Sequence, residues 1–214
     1  MIAVYGLKFI LIGAVLTIAC ALWSTSKDSL TLFIVSILLA FVTLFLIYFY
    51  RNPVRIVPEG ENNILSIADG RILSIEDIEN QFIGGPGKKV SIFLSVFDVH
   101  INRIPISGTI VYVKYSPGQF FKAFVDEASD KNEQTEIGLD FGAGKMIFKQ
   151  IVGILARRIV CKIEQGQKVT GGDIFGMIHF GSRAELFLPA NVEIVAKVGQ
   201  MVKGGETIIG KVVE

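Results

Sequence analysis

The chain has 214 residues, 51% of them hydrophobic, and a mean hydropathy of +0.54, which excludes an ordinary soluble domain of this size. A net charge of only +1 excludes nucleic acid as a partner, because neutralising phosphates takes clustered positive charge. With two histidines, two distant cysteines and no paired-cysteine spacing, the sequence offers neither a metal site nor a structural disulfide.

The apolar excess is concentrated in residues 1–50, where Lys8, Lys27 and Asp28 are the only charges. Residues 2–23 are apolar apart from Lys8, and residues 30–50 carry no formal charge. Each stretch is long enough to cross a hydrocarbon core of about 30 Å at about 1.5 Å per helical residue. The six polar residues 24–29 between them predict a tight turn, so 1–50 reads as a two-helix transmembrane hairpin anchored in the cell membrane. Arg51 and Arg55 follow the second span and Lys8 precedes the first, and this positive-inside bias puts residues 51–214 on the cytoplasmic side. A cleaved signal peptide fits less well, since the leading region is long and weakly basic and no A-x-A site follows. The run Leu16-Thr17-Ile18-Ala19-Cys20 carries only a faint lipoprotein signal. Tyr48, Phe49 and Tyr50 form an interfacial aromatic belt.

Residues 51–214 balance 19 basic against 19 acidic side chains, and their composition is that of one water-soluble domain. Alternating Val, Ile and Phe in segments 89–96, 109–115, 145–152 and 159–163, separated by Gly, Pro, Asn and Asp clusters, predict a mainly β, antiparallel fold, a small sandwich or barrel. The octapeptide Gly166-Gln167-Lys168-Val169-Thr170-Gly171-Gly172-Asp173 returns 33 residues later as Gly199-Gln200-Met201-Val202-Lys203-Gly204-Gly205-Glu206. Two copies are too few for a repeat array and predict two equivalent turns with glycines at positive φ. Lipoyl-type carrier domains use similar turns, but Lys145, the one loosely suitable modification site, opens a strand rather than a hairpin tip.

Three segments carry groups that strand connections do not need. One delivers Asp98, His100 and Arg103 within six residues; one breaks a strand pattern with Gly181-Ser182 just after His179; one sets Asp69 in an Ala68-Asp69-Gly70 turn. Singly, each has a plain structural explanation: a turn, a core histidine, a common dipeptide. In combination with the hydrophobic hairpin and Phe49-Tyr50-Arg51-Asn52-Pro53-Val54-Arg55, the order of Ala68-Asp69-Gly70, Asp98-Val99-His100 and Phe180-Gly181-Ser182 resembles the short form of the phosphatidylserine decarboxylase family. The resemblance extends over essentially the whole chain.

That resemblance implies a proenzyme that cuts itself between Gly181 and Ser182, giving a β chain of residues 1–181 and an α chain of residues 182–214. Ser182 becomes a pyruvoyl group that forms a Schiff base with the serine phospholipid and accepts electrons as carbon dioxide leaves, with no pyridoxal phosphate and no metal. The product is phosphatidylethanolamine, in phospholipid biosynthesis. A serine hydroxyl needs a base to attack the preceding carbonyl, and His100, near neutrality when unperturbed, is the leading candidate, with Asp69 as its orienting partner. The membrane lipid is the substrate, and a homodimer is compatible with the pattern. Many long-form members carry a second histidine where this chain has Arg103, so His100 serves twice or another group, such as His179, takes one task. Alternation along a strand aims His179 away from Ser182. Arg103 and Arg183 read as solvated surface arginines, or as holders of the lipid's phosphate or carboxylate. Phe120 and Phe121 suit an interfacial loop or the core. The rival readings are an archaetidylserine decarboxylase, differing in the lipid tails, and a non-enzymatic membrane-tethered lipoyl-like module.

Overall fold

A computed structural model describes residues 1–119, 131–153, 158–179 and 182–213. The chain divides into two compact units, Met1–Val54 and Arg55–Glu214.

In the first unit a short 3-10 turn, Val4–Gly6, leads into α1 (Leu7–Lys27), which is followed by α2 (Leu30–Phe49). Both helices are long and apolar enough to cross a membrane, with mean hydropathies of 2.1 and 2.9. Their Leu, Ile and Phe side chains point mostly outward. The expected six-residue loop is shorter: α1 runs on through the polar residues, and only Asp28 and Ser29 make the turn. The polar side chains satisfy the backbone locally, which is why this is possible. Ser24 Oγ donates to Ser29 O, and Ser29 Oγ caps α2 by accepting from Leu32 N–H. Asp28 takes the left-handed conformation that ends α1. Small residues let the helices approach closely: a Cβ at Gly13 would lie 2.7 Å from Thr43 Oγ1.

The second unit is antiparallel β, as the sequence predicts. Its first strands are β1 (Asn63–Leu65), β2 (Gly70–Asn80), β3 (Gly85–Leu94), β4 (Ile101–Arg103) and β5 (Gly108–Ser116). They are followed by β6 (Gln134–Asp140), β7 (Lys145–Val152), β8 (Ile159–Cys161), β9 (Lys168–Val169) and β10 (Ile174–Ile178). The chain closes with β11 (Ser182–Pro189), β12 (Val192–Ile194), β13 (Met201–Val202) and β14 (Ile208–Val212). Among the described residues they form an eight-stranded sheet in the order β13-β2-β3-β11-β7-β6-β5-β9 and two three-stranded sheets, β1-β14-β12 and β4-β10-β8. A continuous core of Ile, Val, Leu and Phe lines one face of the large sheet, with Ile92, Leu94, Ile137, Phe148, Phe175 and Leu186 fully buried in it.

This order is a pseudo-two-fold repeat. The hairpin β2–β3 with β13 on its edge corresponds to β5–β6 with β9, and β11 to β7, so the axis passes between the two central strands. The small sheets correspond in the same way, β1-β14-β12 to β4-β10-β8. Even the irregularities agree: the register slips between Ile72 and Ser74 in one half and between Ile110 and Tyr112 in the other. The glycine-rich octapeptides are the sequence trace of this duplication. Gly166 and Gly199 sit at φ 82° and 84°, Gly172 and Gly205 at 87° and 75°. Gly166 N–H donates to Ile110 O, and Gly199 N–H to Ile72 O, completing equivalent turns.

Candidate active site

Ser182 opens β11 in the middle of the large sheet, paired with Leu94 of β3 on one side and Val152 of β7 on the other. Its side chain shares the core face with Ala184 and Leu186, following the two-residue alternation. It is fully buried, and its Oγ has no hydrogen-bond partner among the described residues. A hydroxyl left so costs on the order of 1–3 kcal/mol, which a structural serine would not be expected to retain. Phe180 and Gly181, the other half of the expected cleavage motif, lie outside the described residues, as do Phe120 and Phe121.

The same two segments that meet at Leu94 and Ser182 meet again at His100. Its carbonyl accepts from Ile178 N–H at 3.2 Å, at the end of β10. Between these contacts residues 95–98 close a tight turn: Asp98 N–H donates to Ser95 O, and the Asp98 carboxylate accepts from Ser95 N–H at 2.8 Å. Val152, the partner of Ser182, packs with Ile178 and Ile159, so the serine and the histidine flank one small apolar cluster. His100 is fully buried. Its Nδ1 lies 3.0 Å from the Asp98 carbonyl. A carbonyl only accepts, so Nδ1 carries a proton and donates it there.

Asp69 is held differently from the expected arrangement. Its carboxylate accepts two hydrogen bonds from Arg55 Nη2, at 2.7 and 2.9 Å, and one from Gly204 N–H at 2.8 Å, and forms none with His100. It is nonetheless in the neighbourhood. Leu65 N–H donates to Pro105 O and Arg103 N–H to Ile67 O, and this antiparallel register, continued, sets Asp69 level with Ile101, next to His100. Burial pushes the Asp69 carboxyl above its ordinary value; the Gly204 N–H and the Arg55 guanidinium pull it back, and the Asp98 charge pushes it up again. In the other half of the fold Ser107 takes the equivalent position and accepts from Gly171 N–H at 3.0 Å. Capping this turn therefore takes only a hydroxyl, and the charge at Asp69 is an addition.

Arg55, read from sequence as a membrane-flanking charge, is instead committed to a buried ion pair, also reaching Glu206 at 3.3 Å. Gly70 follows Asp69 at φ 153°, and a Cβ there would sit 2.1 Å from Phe93 O, so the Asp-Gly turn requires glycine.

Two sequence expectations need correction. Arg183 is not at the surface: it is 1% exposed, on the opposite face of β11 from Ser182, with Nε 2.9 Å from the fully buried Glu185 and Nη2 donating to Ser91 Oγ. Alternation along the strand turned it into the protein because this face is also covered. Arg103 is half-buried rather than solvated, its Nη1 donating to Gly172 O at 2.9 Å. The strand argument for His179 also loses its premise, since His179 stands outside both β10 and β11, buried, its N–H donating to Arg158 O.

Sequence reasoning missed an amide pair. Gln150 Nε2 donates to Asn102 Oδ1 at 2.8 Å and to Val160 O at 3.2 Å, both side chains being fully buried. Asn102 lies two residues after His100, and Gln150 two residues before the partner of Ser182. Gly176 between them makes room, since a Cβ there would lie 2.9 Å from Gln150 Nε2. An Asn and a Gln 48 residues apart carry no motif, so only the fold reveals them. Among the described residues no group of His, Cys, Asp and Glu could hold a metal ion.

A buried serine hydroxyl, a buried histidine and a carboxylate held by an arginine lie in one β-rich unit and make it a candidate enzyme. Comparison with known proteins specifies it: residues 42–210 match the model of the phosphatidylserine decarboxylase family, and the chain belongs to that family. It is 46% identical over 172 residues to the phosphatidylserine decarboxylase proenzyme of Chlorobium phaeobacteroides, covering 80% of this chain and 81% of that one. The proenzyme of the same name from Pelobacter propionicus is 39% identical over 211 residues, 98% of this chain and 96% of its own. That from Syntrophus aciditrophicus is 47% identical over 170 residues, covering 78% and 80%.

Proposed function

We propose that this chain is a membrane-anchored proenzyme that cleaves itself between Gly181 and Ser182 and then decarboxylates phosphatidylserine to phosphatidylethanolamine. The observation that carries the reading is the buried Ser182 Oγ at the head of β11, without a hydrogen-bond partner among the described residues, on a strand whose neighbour Val152 shares an apolar cluster with Ile178, the residue bonded to His100. In the first step His100 takes the hydroxyl proton while Ser182 Oγ adds to the preceding carbonyl; the peptide nitrogen leaves with a proton, and an ester joins the two parts. Loss of the Ser182 α-proton expels residues 1–181 as a carboxylate, and addition of water with release of ammonia leaves a ketone on residue 182.

That pyruvoyl group is built from the chain, so the fit test falls on Ser182 itself. Its Oγ, unpaired among the described residues at the end of a strand paired on both sides, fits a residue that must react and stay in place. When formed, the group supplies the electron sink for loss of the carboxylate. The chain's own residues do the rest: the apolar cluster of Val152, Ile159 and Ile178 excludes water, and His100 Nε2 holds or returns the proton. Asp69 adds negative charge that favours the imidazolium, with Arg55 fixing it. The two apolar helices keep the enzyme where its lipid substrate is, with the catalytic unit on the cytoplasmic side.

Intact-mass measurement of the purified chain tests this. The wild type is expected to yield residues 182–214 as a fragment blocked by a ketone-reactive terminus, and Ser182→Ala none. His100→Ala should slow its appearance by about 10²–10⁴. An intact wild-type chain that still decarboxylates the lipid would overturn the reading.

A further inference from the structure

The pseudo-two-fold repeat gives an internal control for every residue near the site, because each position has a counterpart under the same packing in the other half. Asn102 on β4 corresponds to Ile64 on β1: each is opposite a glycine, Gly176 or Gly210, in its small sheet. Gln150 on β7 corresponds to Leu188 on β11 across the central axis. Ile64 and Leu188 are fully buried members of the core. The fold therefore fills these two positions with aliphatic side chains where no chemistry is asked of them, and with amides next to Ser182 and His100.

The amides carry a penalty that the aliphatic pair avoids. Gln150 Nε2 must face Val160 O, its second acceptor, and this fixes Gln150 Oε1 on the far side. Nε2 then requires Asn102 to present Oδ1. The consequence is that Asn102 Nδ2 and Gln150 Oε1 have no hydrogen-bond partner among the described residues, although both are inaccessible to solvent. A buried amide donor left unpaired is selected against unless something uses it. By strand alternation Asn102 lies on the same side of β4 as His100. Gln150 is on the face of β7 that carries Val152, diagonal to Ser182, so the pair links the strand beside Ser182 to the one that follows His100.

We propose that Asn102 is a catalytic residue of self-cleavage, its Nδ2 donating to the oxygen that becomes negative when the Ser182 hydroxyl adds to the carbonyl before it. The inference rests on the self-cleavage reading given above. Addition forms the C–O bond, moves the carbonyl π electrons onto oxygen, and passes the hydroxyl proton to His100. The oxyanion then re-forms the carbonyl, the C–N bond breaks, and the proton passes from His100 to the departing nitrogen. A neutral, fully buried amide held by Gln150 stabilises that oxygen without reorganising. Gln150 is a positioning residue acting through Asn102.

The test copies the other half of the fold. Full-length Asn102→Ile, and Asn102→Ile with Gln150→Leu, are made by cell-free synthesis into detergent micelles beside the wild type and Asn102→Asp. Appearance of the 182–214 fragment is timed by mass spectrometry, and thermal unfolding of the precursors is measured on a Ser182→Ala background. The aliphatic variants should unfold no earlier than their parent yet cleave about 10²–10³-fold more slowly. Asn102→Asp, which keeps the acceptor for Gln150 and replaces the donor with a charge, should be at least as slow. Wild-type cleavage rates in Asn102→Asp or in either aliphatic variant would overturn the proposal. A slow rate matched by a proportionate loss of stability in every variant would also overturn it, reducing the pair to packing. An intact wild-type chain would instead overturn the self-cleavage reading itself, so the two failures are told apart.

Discussion

Replacing Arg55 with glutamine isolates the ion pair that holds Asp69. The guanidinium side chain is 6% exposed and the carboxylate 15%, with two hydrogen bonds at 2.7 and 2.9 Å. Breaking one partner out of a fully buried pair costs about 3–5 kcal/mol. Asp69 keeps the Gly204 N–H and some contact with water, so about 2–3 kcal/mol is the appropriate loss at neutral pH, a fall in melting temperature of roughly 4–12 °C for a domain of this size. The sign of the pH dependence follows from the carboxyl. Its folded pKa already stands above the ordinary 3.8, chiefly through burial. A group raised in this way contributes stability at low pH and loses it as pH rises through the folded pKa. Without Arg55 the folded pKa is higher still, so the deficit should be small below the ordinary aspartate range, grow as pH rises through the variant's raised pKa, and level off near neutrality. Calorimetry of the full chain in detergent at several pH values between 4 and 8 reads this directly. Adding Asp69→Asn should recover part of the neutral-pH loss. A deficit under about 0.5 kcal/mol, or one that does not vary with pH, would refute the assignment of Arg55 as the partner that compensates a buried charge.

Two further predictions concern the scaffold. Arg183→Met strands the fully buried Glu185 and should cost about 3–5 kcal/mol, whereas Arg183→Met with Glu185→Leu should regain most of it; equal losses in the single and double variants would deny that the pair compensates itself. Gly70→Ala should destabilise by about 2–5 kcal/mol, combining left-handed strain with the contact at Phe93 O, while Gly85→Ala, at φ 109° with nothing within 4 Å, should cost about 1 kcal/mol; matched melting temperatures for the two would contradict the close approach.

The helical hairpin and the antiparallel β class were legible because both rest on periodicity and length: uninterrupted apolar runs for the helices, alternation for the strands. The strand at residues 145–152 was placed to the residue. The turn at Asp28 and Ser29 was not, because a helix end depends on where side chains can bond the backbone, and Ser24 and Ser29 bond each other's neighbourhood rather than making a loop. The octapeptide repeat announced two equivalent turns, but the rest of the duplication has lost its sequence likeness while keeping its packing, as Asn102 against Ile64 illustrates. His100, Ser182 and Asp69 stood out in the sequence only as residue types within short motifs. What held Asp69 was not, since Arg55 and Gly204 are remote from it in sequence or anonymous in type and only the closed fold brings them together. Arg183 misled for the opposite reason: an arginine is usually solvated, and burial on both faces of a strand is invisible to a single sequence.

The position of β11 bears on what a severed backbone can do. Residues 87–94 and 147–152 clasp it along both edges, and Ser182, its first residue, is held by both. A fragment beginning there has no free edge along which to peel away, and it also carries β12 and β14 into a three-stranded sheet and β13 to the edge of the large one. Its escape would demand dismantling the whole β unit, so the working lifetime of a molecule cut at this point would be governed by global unfolding and not by dissociation of the short piece.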